Sequence, residues 1–277
     1  FENENPISEI PILQIYLQIF KTLRNEAEEL HFEKLVNLLA QHQHRFPQQE
    51  AKGMYRYAQN YCIRKINQGD QQYFRKLFEL FQTQLSHQIN MPNGILAAAD
   101  YKNIVTVGLQ VKEADWVKQF IFDYKSALRP ELRENVFHYN LASFHYGVKD
   151  YDAAIKLLST VKYTDIYYEI SGKIILAKIY FTLGEYETLH YFIDAFKLHL
   201  LRNKKIAFQY RQRIINFLIQ LKKITKLKAA FSYTSPSVFQ KKQEKVKVRL
   251  ATVEPIIDRR WLLSSLMTVG DNVLISN

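Results

Sequence analysis

The stretch YGVKDYDAAIKLL, residues 146–158, has a second version 35 residues later, FTLGEYETLHYFI, residues 181–193. The two stretches align on Tyr151 and Tyr186, and each has a small or apolar residue at matching places before and after this tyrosine. Self-similarity at a period of about 20 to 50 residues indicates a repeated supersecondary unit. The chain is therefore expected to contain at least two copies of one structural element.

A third copy is predicted one period earlier, in VGLQVKEADWVKQFI, residues 107–121. Trp116 precedes Tyr151 by the same 35 residues that separate Tyr151 from Tyr186. In this alignment the residues nine positions before the aromatic residue are Val107, Ala142 and Ala177, and those three positions after it are Gln119, Ala154 and Leu189. The aromatic and small residues are predicted to be core residues that let two helices pack closely.

Each copy is predicted to form a helix, a short turn and a second helix. Apolar residues recur at helical spacing before the turn. Asp150 stands where the N-cap of the second helix belongs, and Gly184 stands where a first helix ends. A single helix pair cannot bury its own apolar face, so repetition of the pair supplies each copy with a neighbour that covers it.

The copies resemble the tetratricopeptide repeat family, whose pattern places Leu-Gly or Leu-Ala, then Tyr, then Gly-x-Tyr-x-x-Ala within about 34 residues. The best match comprises Leu176-Ala177, Tyr180, Gly184 and Tyr186, with Leu189 in place of Ala. The preceding copy has Leu141-Ala142, Tyr151 and Ala154, but His145 and Lys149 replace the Tyr and the Gly. This resemblance is clearest over about residues 100–200, and it implies a right-handed α-solenoid of stacked antiparallel helix pairs.

Composition also favours an all-α protein. The 277 residues include only 8 Gly and 7 Pro, and strand-rich folds need many turns that use these residues. The prediction is a single helical-repeat domain over residues 1–277, with the best-matching repeats at 102–203 and basic C-terminal helices at 204–277. The apolar stripe of DRRWLLSSLM, which includes Trp261, predicts a capping helix at about 255–269 that packs on a long helix at 204–228. The alternative is a docking face for a second subunit or for a missing part of the chain.

No sequence pattern typical of catalysis or of metal or nucleotide binding is recognised. The single cysteine, Cys62, is interpreted as a small buried apolar residue, since no partner base lies near it in the sequence. The chain is therefore expected not to be an enzyme and to bind no cofactor and no metal. No apolar run approaches the length of a membrane span and the N-terminus lacks a signal-peptide pattern, so a cytoplasmic location is expected.

The resemblance implies a non-catalytic scaffold that binds a peptide or protein segment in the concave groove of the solenoid. In this family the first helix of each pair usually lines the groove. The candidate partner-binding residues are therefore polar residues predicted on first helices: Asn103, Thr106, Gln110, Asn140, Ser143, His145, Lys173 and Lys178.

The alternative function rests on charge. The formal net charge is +11, and residues 197–249 contain fifteen Lys or Arg but only one acidic residue, Glu244. A solvated helix face would explain this, and so would a surface for an acidic partner or for nucleic acid. The alternative function is therefore a basic nucleic-acid-binding or regulatory module that uses residues 197–249. Binding to a membrane surface is less favoured, because the basic helix lacks a strong apolar face. The residues of this basic patch would be Arg211, Arg213, Lys222, Lys223, Lys241, Lys242, Lys245 and Lys247.

Overall fold

The protein is all-α, as predicted. A computed structural model describes residues 10–25, 29–161, 163 and 165–268, and no strand occurs in these ranges. The helices are α1 (Pro11–Arg24), α2 (Glu29–His42), α3 (Gln48–Asn67), α4 (Tyr73–Ser86), α5 (Ala98–Gln110), α6 (Ala114–Asp123), α7 (Arg133–Gly147), α8 (Tyr151–Thr160), α9 (Ile166–Leu183), α10 (Tyr186–Arg202), α11 (Phe208–Ala229), α12 (Pro236–Thr252) and α13 (Arg259–Met267). Short 3₁₀ turns lie at Gln43–Arg45, Pro92–Gly94 and Phe231–Tyr233.

The chain divides into two compact units. Unit 1 comprises residues 1–162 and contains α1 to α8, and unit 2 comprises residues 163–277 and contains α9 to α13. Within each unit, helices that follow one another in sequence pack together. The prediction of a single helical-repeat domain over residues 1–277 stays a prediction.

One backbone turn ends α4, at Gln88, and recurs at the ends of α3, α5, α7 and α9, the first helices of four pairs. In the turns of these four pairs a residue with positive φ follows the first helix: Gly69 (106°), Lys112 (65°), Lys149 (65°) and Gly184 (78°). The next residue donates its backbone N–H to a carbonyl five residues earlier, with N···O distances of 3.0, 3.0, 2.8 and 2.9 Å in the four turns. This is the Schellman arrangement, which satisfies carbonyl groups that the helix end would otherwise leave unpaired.

A buried residue stands seven positions before each of these left-handed residues. The four are Cys62, Val105, Ala142 and Ala177, and each is 0% exposed. Five positions after the left-handed residue, in the last three turns, come Val117, Ala154 and Leu189, which are also 0% exposed. The pairs α3/α4, α5/α6, α7/α8 and α9/α10 therefore share the same turn and the same buried position on their first helix.

This register corrects the predicted alignment of the third copy. Tyr151 and Tyr186 are the first residues of α8 and α10, but Trp116 is the third residue of α6. Gln119, aligned with Ala154 in the sequence, is exposed, and the buried equivalent is Val117. The predicted alignment of the third copy is therefore shifted by two residues. The shift arose because this copy has no aromatic residue directly after its turn, so the alignment used Trp116 instead.

Trp116 still packs in unit 1, although outside the predicted register. Its ring lies 4.8 Å from the ring of Phe78 in an edge-to-face arrangement and 5.4 Å from that of Phe120 in a stacked one. Both geometries are favourable for aromatic pairs. The half-buried ring of Trp116 therefore links α6 to Phe78 of α4.

Local capping explains one difference from the predicted helix bounds. The long helix starts at Phe208 and not at residue 204, because the Asn203 side chain accepts a hydrogen bond from the backbone N–H of Lys205 (3.0 Å) and so stabilises a turn. The helix α7 begins at Arg133, after a turn in which the N–H of Leu132 donates to the carbonyl of Arg129. By contrast, Asp150 is the predicted N-cap and accepts from the N–H of Ala153.

The last described helix, α13, packs against α11 in unit 2. Leu262 and Leu266 are 0% exposed, and the ring of Trp261 lies 6.1 Å from that of Phe217 on α11. Trp261 is only half-buried, so Trp261→Ala is expected to cost less than the about 3–5 kcal/mol that a fully buried aromatic ring would. The helix occupies 259–267 of the predicted 255–269, and residue 269 lies outside the described residues. That α13 caps a stack of repeats stays a prediction.

Within the described ranges, no helix combines the length and the apolar character needed to cross a lipid bilayer.

Candidate functional site

The recurring turn gives each first helix a common numbering, and this numbering reveals a repeated asparagine. Nine positions before the left-handed residue stand Asn60 on α3, Asn103 on α5 and Asn140 on α7. The equivalent residue of α9 is Ile175, so the repeated amide belongs to unit 1. An asparagine side chain offers two N–H donors and a carbonyl acceptor, the groups that a peptide backbone pairs with.

The three asparagines differ in exposure. Asn60 and Asn103 are exposed; Asn103 was a predicted candidate, whereas Asn60 was not. Asn140 is 0% exposed, and its Nδ2 donates to the carbonyl of Val136 at 2.7 Å. Its Oδ1 has no hydrogen-bond partner among the residues that the structure describes. Asn60 and Asn103 are therefore the members of this set that a partner can reach in this conformation.

Hydroxyl groups occupy the position six residues before the left-handed residue on two of these helices. Thr106 on α5 is exposed and donates to the carbonyl of Lys102 at 2.8 Å. Ser143 on α7 is half-buried and donates to the carbonyl of Tyr139 at 3.0 Å. Since each proton is used within its own helix, each oxygen remains available as an acceptor.

The remaining unit 1 candidates lie near the turns. Gln110 is the last residue of α5 and is exposed. His145, on the last turn of α7, is half-buried, and its Nδ1 lies 2.9 Å from Oδ2 of Asp150. Asp150 also caps α8, so His145 helps to hold the turn between α7 and α8.

Side-chain contacts join α3, α5 and α7 to one another. Lys52 of α3 forms an ion pair with Asp100 of α5, with an Nζ···Oδ2 distance of 3.0 Å. The ammonium of Lys102 on α5 lies 5.3 Å from the centre of the Tyr139 ring on α7, within cation–π range. These contacts connect the three helices within unit 1. The exposed polar residues Asn60, Asn103, Thr106 and Gln110 are named here the first-helix surface.

The two candidates in unit 2 make internal contacts. Lys173 lies 2.7 Å from Glu169 one helical turn away. Lys178 lies 2.8 Å from Asp258, and its ammonium is 5.3 Å from the centre of the Trp261 ring. Lys178 therefore links α9 to the start of α13. Sequence reasoning had no signal for this pairing, because the two residues are far apart in the chain.

The basic residues of unit 2 are divided between α11 and α12. On α11, Lys222 lies 2.7 Å from both carboxylate oxygens of Asp194, and Arg211 is half-buried with its guanidinium 5.9 Å from the Phe208 ring. The other six members of the predicted basic patch are exposed: Arg213, Lys223, Lys241, Lys242, Lys245 and Lys247. Four of these six follow one another on α12.

A cleft of about 460 Å³ lies in unit 1, at the beginnings of α3 and α5. The charged residues of its lining are Lys52 and Arg129, and no His, Cys, Asp or Glu contributes to the part that the structure describes. Within the described residues, no group of three His, Cys, Asp or Glu side chains is placed to hold a metal ion. Burial raises the pKa of the Cys62 thiol to about 12, which suppresses formation of the thiolate nucleophile.

Comparison of the chain with protein-family models, with curated proteins and with solved structures finds no significant match.

Proposed function

We propose that the protein is a non-catalytic scaffold that binds an extended peptide or protein segment on the first-helix surface of unit 1. The proposal includes the architecture that the repeat implies, a right-handed solenoid of antiparallel helix pairs similar to tetratricopeptide repeats. The single observation that carries it is the repeated asparagine, because Asn60 and Asn103 stand at the same position of two first helices and are both exposed.

The chemistry of these residues fits a peptide backbone. The amide of Asn can donate to a peptide carbonyl and accept from a peptide N–H at the same time. A peptide that crosses from α3 to α5 would therefore meet two exposed amides, those of Asn60 and Asn103.

Thr106 and Gln110 extend the same surface along α5, and both are exposed. The oxygen of Thr106 offers an acceptor, and the amide of Gln110 offers a donor and an acceptor. Unit 1 contains 19 Lys and Arg and 18 Asp and Glu, so its formal net charge is +1. Recognition there is expected to depend on neutral hydrogen bonds and to change little with salt.

Selection of peptides from a random library on the whole protein tests the proposal. The affinity of the selected peptides, measured by fluorescence anisotropy, is compared between the native protein and the double variant Asn60→Ala/Asn103→Ala. Two lost hydrogen bonds are worth about 2 kcal/mol in total, so the double variant is expected to bind about 30-fold more weakly.

Asn37→Ala is the matched control, because Asn37 is exposed on α2, a second helix. It is expected to leave peptide affinity unchanged. The proposal is wrong if no peptide is selected, or if the double variant and the control bind the selected peptides as tightly as the native protein does.

A further inference from the structure

A second binding surface lies on α12 in unit 2, independent of the first-helix surface. One side of α12 is used for packing. Phe239 is 5% exposed and its ring lies 4.9 Å from that of Phe231, and Leu250 is 0% exposed. Gln243, between them, donates its Nε2 to the carbonyl of Leu266 on α13 at 3.0 Å. These contacts fix which side of α12 faces outward.

The opposite side of α12 carries a stripe of cations. Lys241, Lys245 and Arg249 follow at intervals of four residues, and all three are exposed. A helix rises 1.5 Å per residue, so the three charges lie about 6 Å apart along the helix axis. Lys242 stands beside them on the same side, and these four residues are named here the α12 stripe.

The charge of the α12 stripe is not compensated locally. None of its four cations forms an ion pair with a residue that the structure describes, and the one acidic residue of α12, Glu244, lies 3.6 Å from Lys247. Unit 2 as a whole contains 19 Lys and Arg and 9 Asp and Glu, a formal net charge of +10. Such a surface attracts a polyanion.

An exposed aromatic residue lies at the beginning of α12. Tyr233 is 92% exposed and precedes the first residue of the helix, Pro236, by three positions. Its ring makes no ring–ring or cation–π contact with another described residue. An aromatic ring beside a row of cations is the combination that binds single-stranded nucleic acid, with the base stacked on the ring and the phosphates on the cations.

A membrane surface fits less well. An interfacial helix inserts a broad apolar face into the lipid, and the apolar side of α12 is already packed in the protein. The outward side offers only Val238 and Val248, which are 44% and 55% exposed. An acidic peptide would use the cations but would leave Tyr233 without a defined role.

We propose that the α12 stripe and Tyr233 bind single-stranded nucleic acid without strong sequence preference. Four phosphate contacts, at about 0.7 per contact for a single strand, predict a slope of about −2.8 for log K against log salt. Affinity is therefore expected to fall about 50-fold between about 50 and 200 mM salt.

The test is fluorescence anisotropy of the whole protein with labelled oligouridylate and oligothymidylate of about 16 nucleotides. The triple variant Lys241→Ala/Lys245→Ala/Arg249→Ala is expected to lose at least tenfold in affinity, and its salt slope should fall to about −0.7. The control variant Lys34→Ala/Lys118→Ala/Lys156→Ala removes three exposed lysines of unit 1, so the change in net charge is the same. Its affinity should change less than twofold and its slope should stay near −2.8.

The aromatic contact has its own control. Tyr233→Ala is expected to weaken binding about fivefold or more, whereas Tyr191→Ala, on a tyrosine of α10 that is 72% exposed, should have no effect. Because all of these side chains are exposed, unchanged circular dichroism melts are expected for every variant.

Three outcomes would overturn the proposal. The first is no binding to either oligonucleotide at about 50 mM salt. The second is equal weakening by the triple variant and its control, which would show dependence on net charge alone. The third is a preference for a different polyanion: stripe-dependent binding to phosphatidylserine vesicles without oligonucleotide binding, or competition by polyglutamate equal to that by oligonucleotide at the same charge concentration.

Discussion

The turn that ends α9 and the turn that ends α5 have the same backbone shape but different residues. Both place one residue in the left-handed region, Gly184 with φ of 78° and Lys112 with φ of 65°. Both close with a backbone hydrogen bond of similar length, 2.9 Å from Glu185 and 3.0 Å from Glu113. A lysine pays a steric cost in this conformation that a glycine does not.

The comparison shows that packing of the buried residues specifies the turn, and that glycine only lowers the steric cost of its positive φ. Ala177 and Leu189 flank the turn at Gly184, and Val105 and Val117 flank the turn at Lys112, all four at 0% exposure. Burial of these apolar side chains is worth more than the local cost of a non-glycine residue at positive φ. The buried positions should therefore tolerate change less well than the turn itself.

Overpacking one of the buried positions should have the largest effect. Ala142→Leu places a large side chain where alanine is 0% exposed, and it should lower the free energy of unfolding by about 1–3 kcal/mol. Ala99→Leu makes the same chemical change at an exposed site of α5 and should stay within about 0.5 kcal/mol. Urea denaturation measures both. Equal effects of the two variants would show that position 142 is not a close helix contact.

Replacing glycines in a turn and in a helix should give smaller effects of opposite sign. Gly184→Ala puts a Cβ at positive φ and should destabilise the protein by about 1 kcal/mol. Gly53 lies inside α3 with no neighbouring atom within 4 Å of an added Cβ, so Gly53→Ala should stabilise by about 0.5–1 kcal/mol. Urea midpoints that shift in the same direction for both variants would contradict the left-handed turn at Gly184.

The smallest predicted effect is a pH dependence at His190 on α10, next to the turn at Gly184. Burial, and then the nearby charges of Lys222 and Lys226, lower the pKa of His190 in the folded protein. The unfolded chain therefore binds the proton more readily, and stability should fall as pH drops through about 6.5. His190→Gln should reduce this fall, and His87→Gln, at an exposed site, should not. Stability curves that coincide for the native protein and His190→Gln between about pH 7.5 and 5.5 would refute the assignment.

Part of this fold could be predicted from the sequence because some residue types strongly indicate one structural position. Asp150 marks an N-cap and Gly184 marks a helix end, so the copies that contain them could be placed. Lys112 carries no such mark, and Trp116 lies close enough to the expected position to suggest a false register. The aromatic residue is the easiest feature to align in the sequence, but the buried positions of each helix pair are fixed relative to the left-handed residue.

The candidate site was harder to predict for two physical reasons. Asn60 was missed because the turns at Gly69 and Lys112 lie 43 residues apart, so a search at the 35-residue period did not reach the pair α3/α4. Asn140 and Lys178 were polar residues on first helices, but one is buried and the other pairs with Asp258. Burial and long-range pairing depend on the neighbouring helices, which a local pattern does not contain.

The shared turn is tested most directly in the pair α5/α6. Two single variants distinguish the alignment on the turn at Lys112 from the alignment on Trp116. The structure places Val117 in the buried position at 0% exposure and Gln119 at the surface. Urea denaturation should therefore show a loss of about 2 kcal/mol for Val117→Ala and less than about 0.5 kcal/mol for Gln119→Ala. A larger loss for Gln119→Ala than for Val117→Ala would contradict the shared turn and would restore the alignment on Trp116.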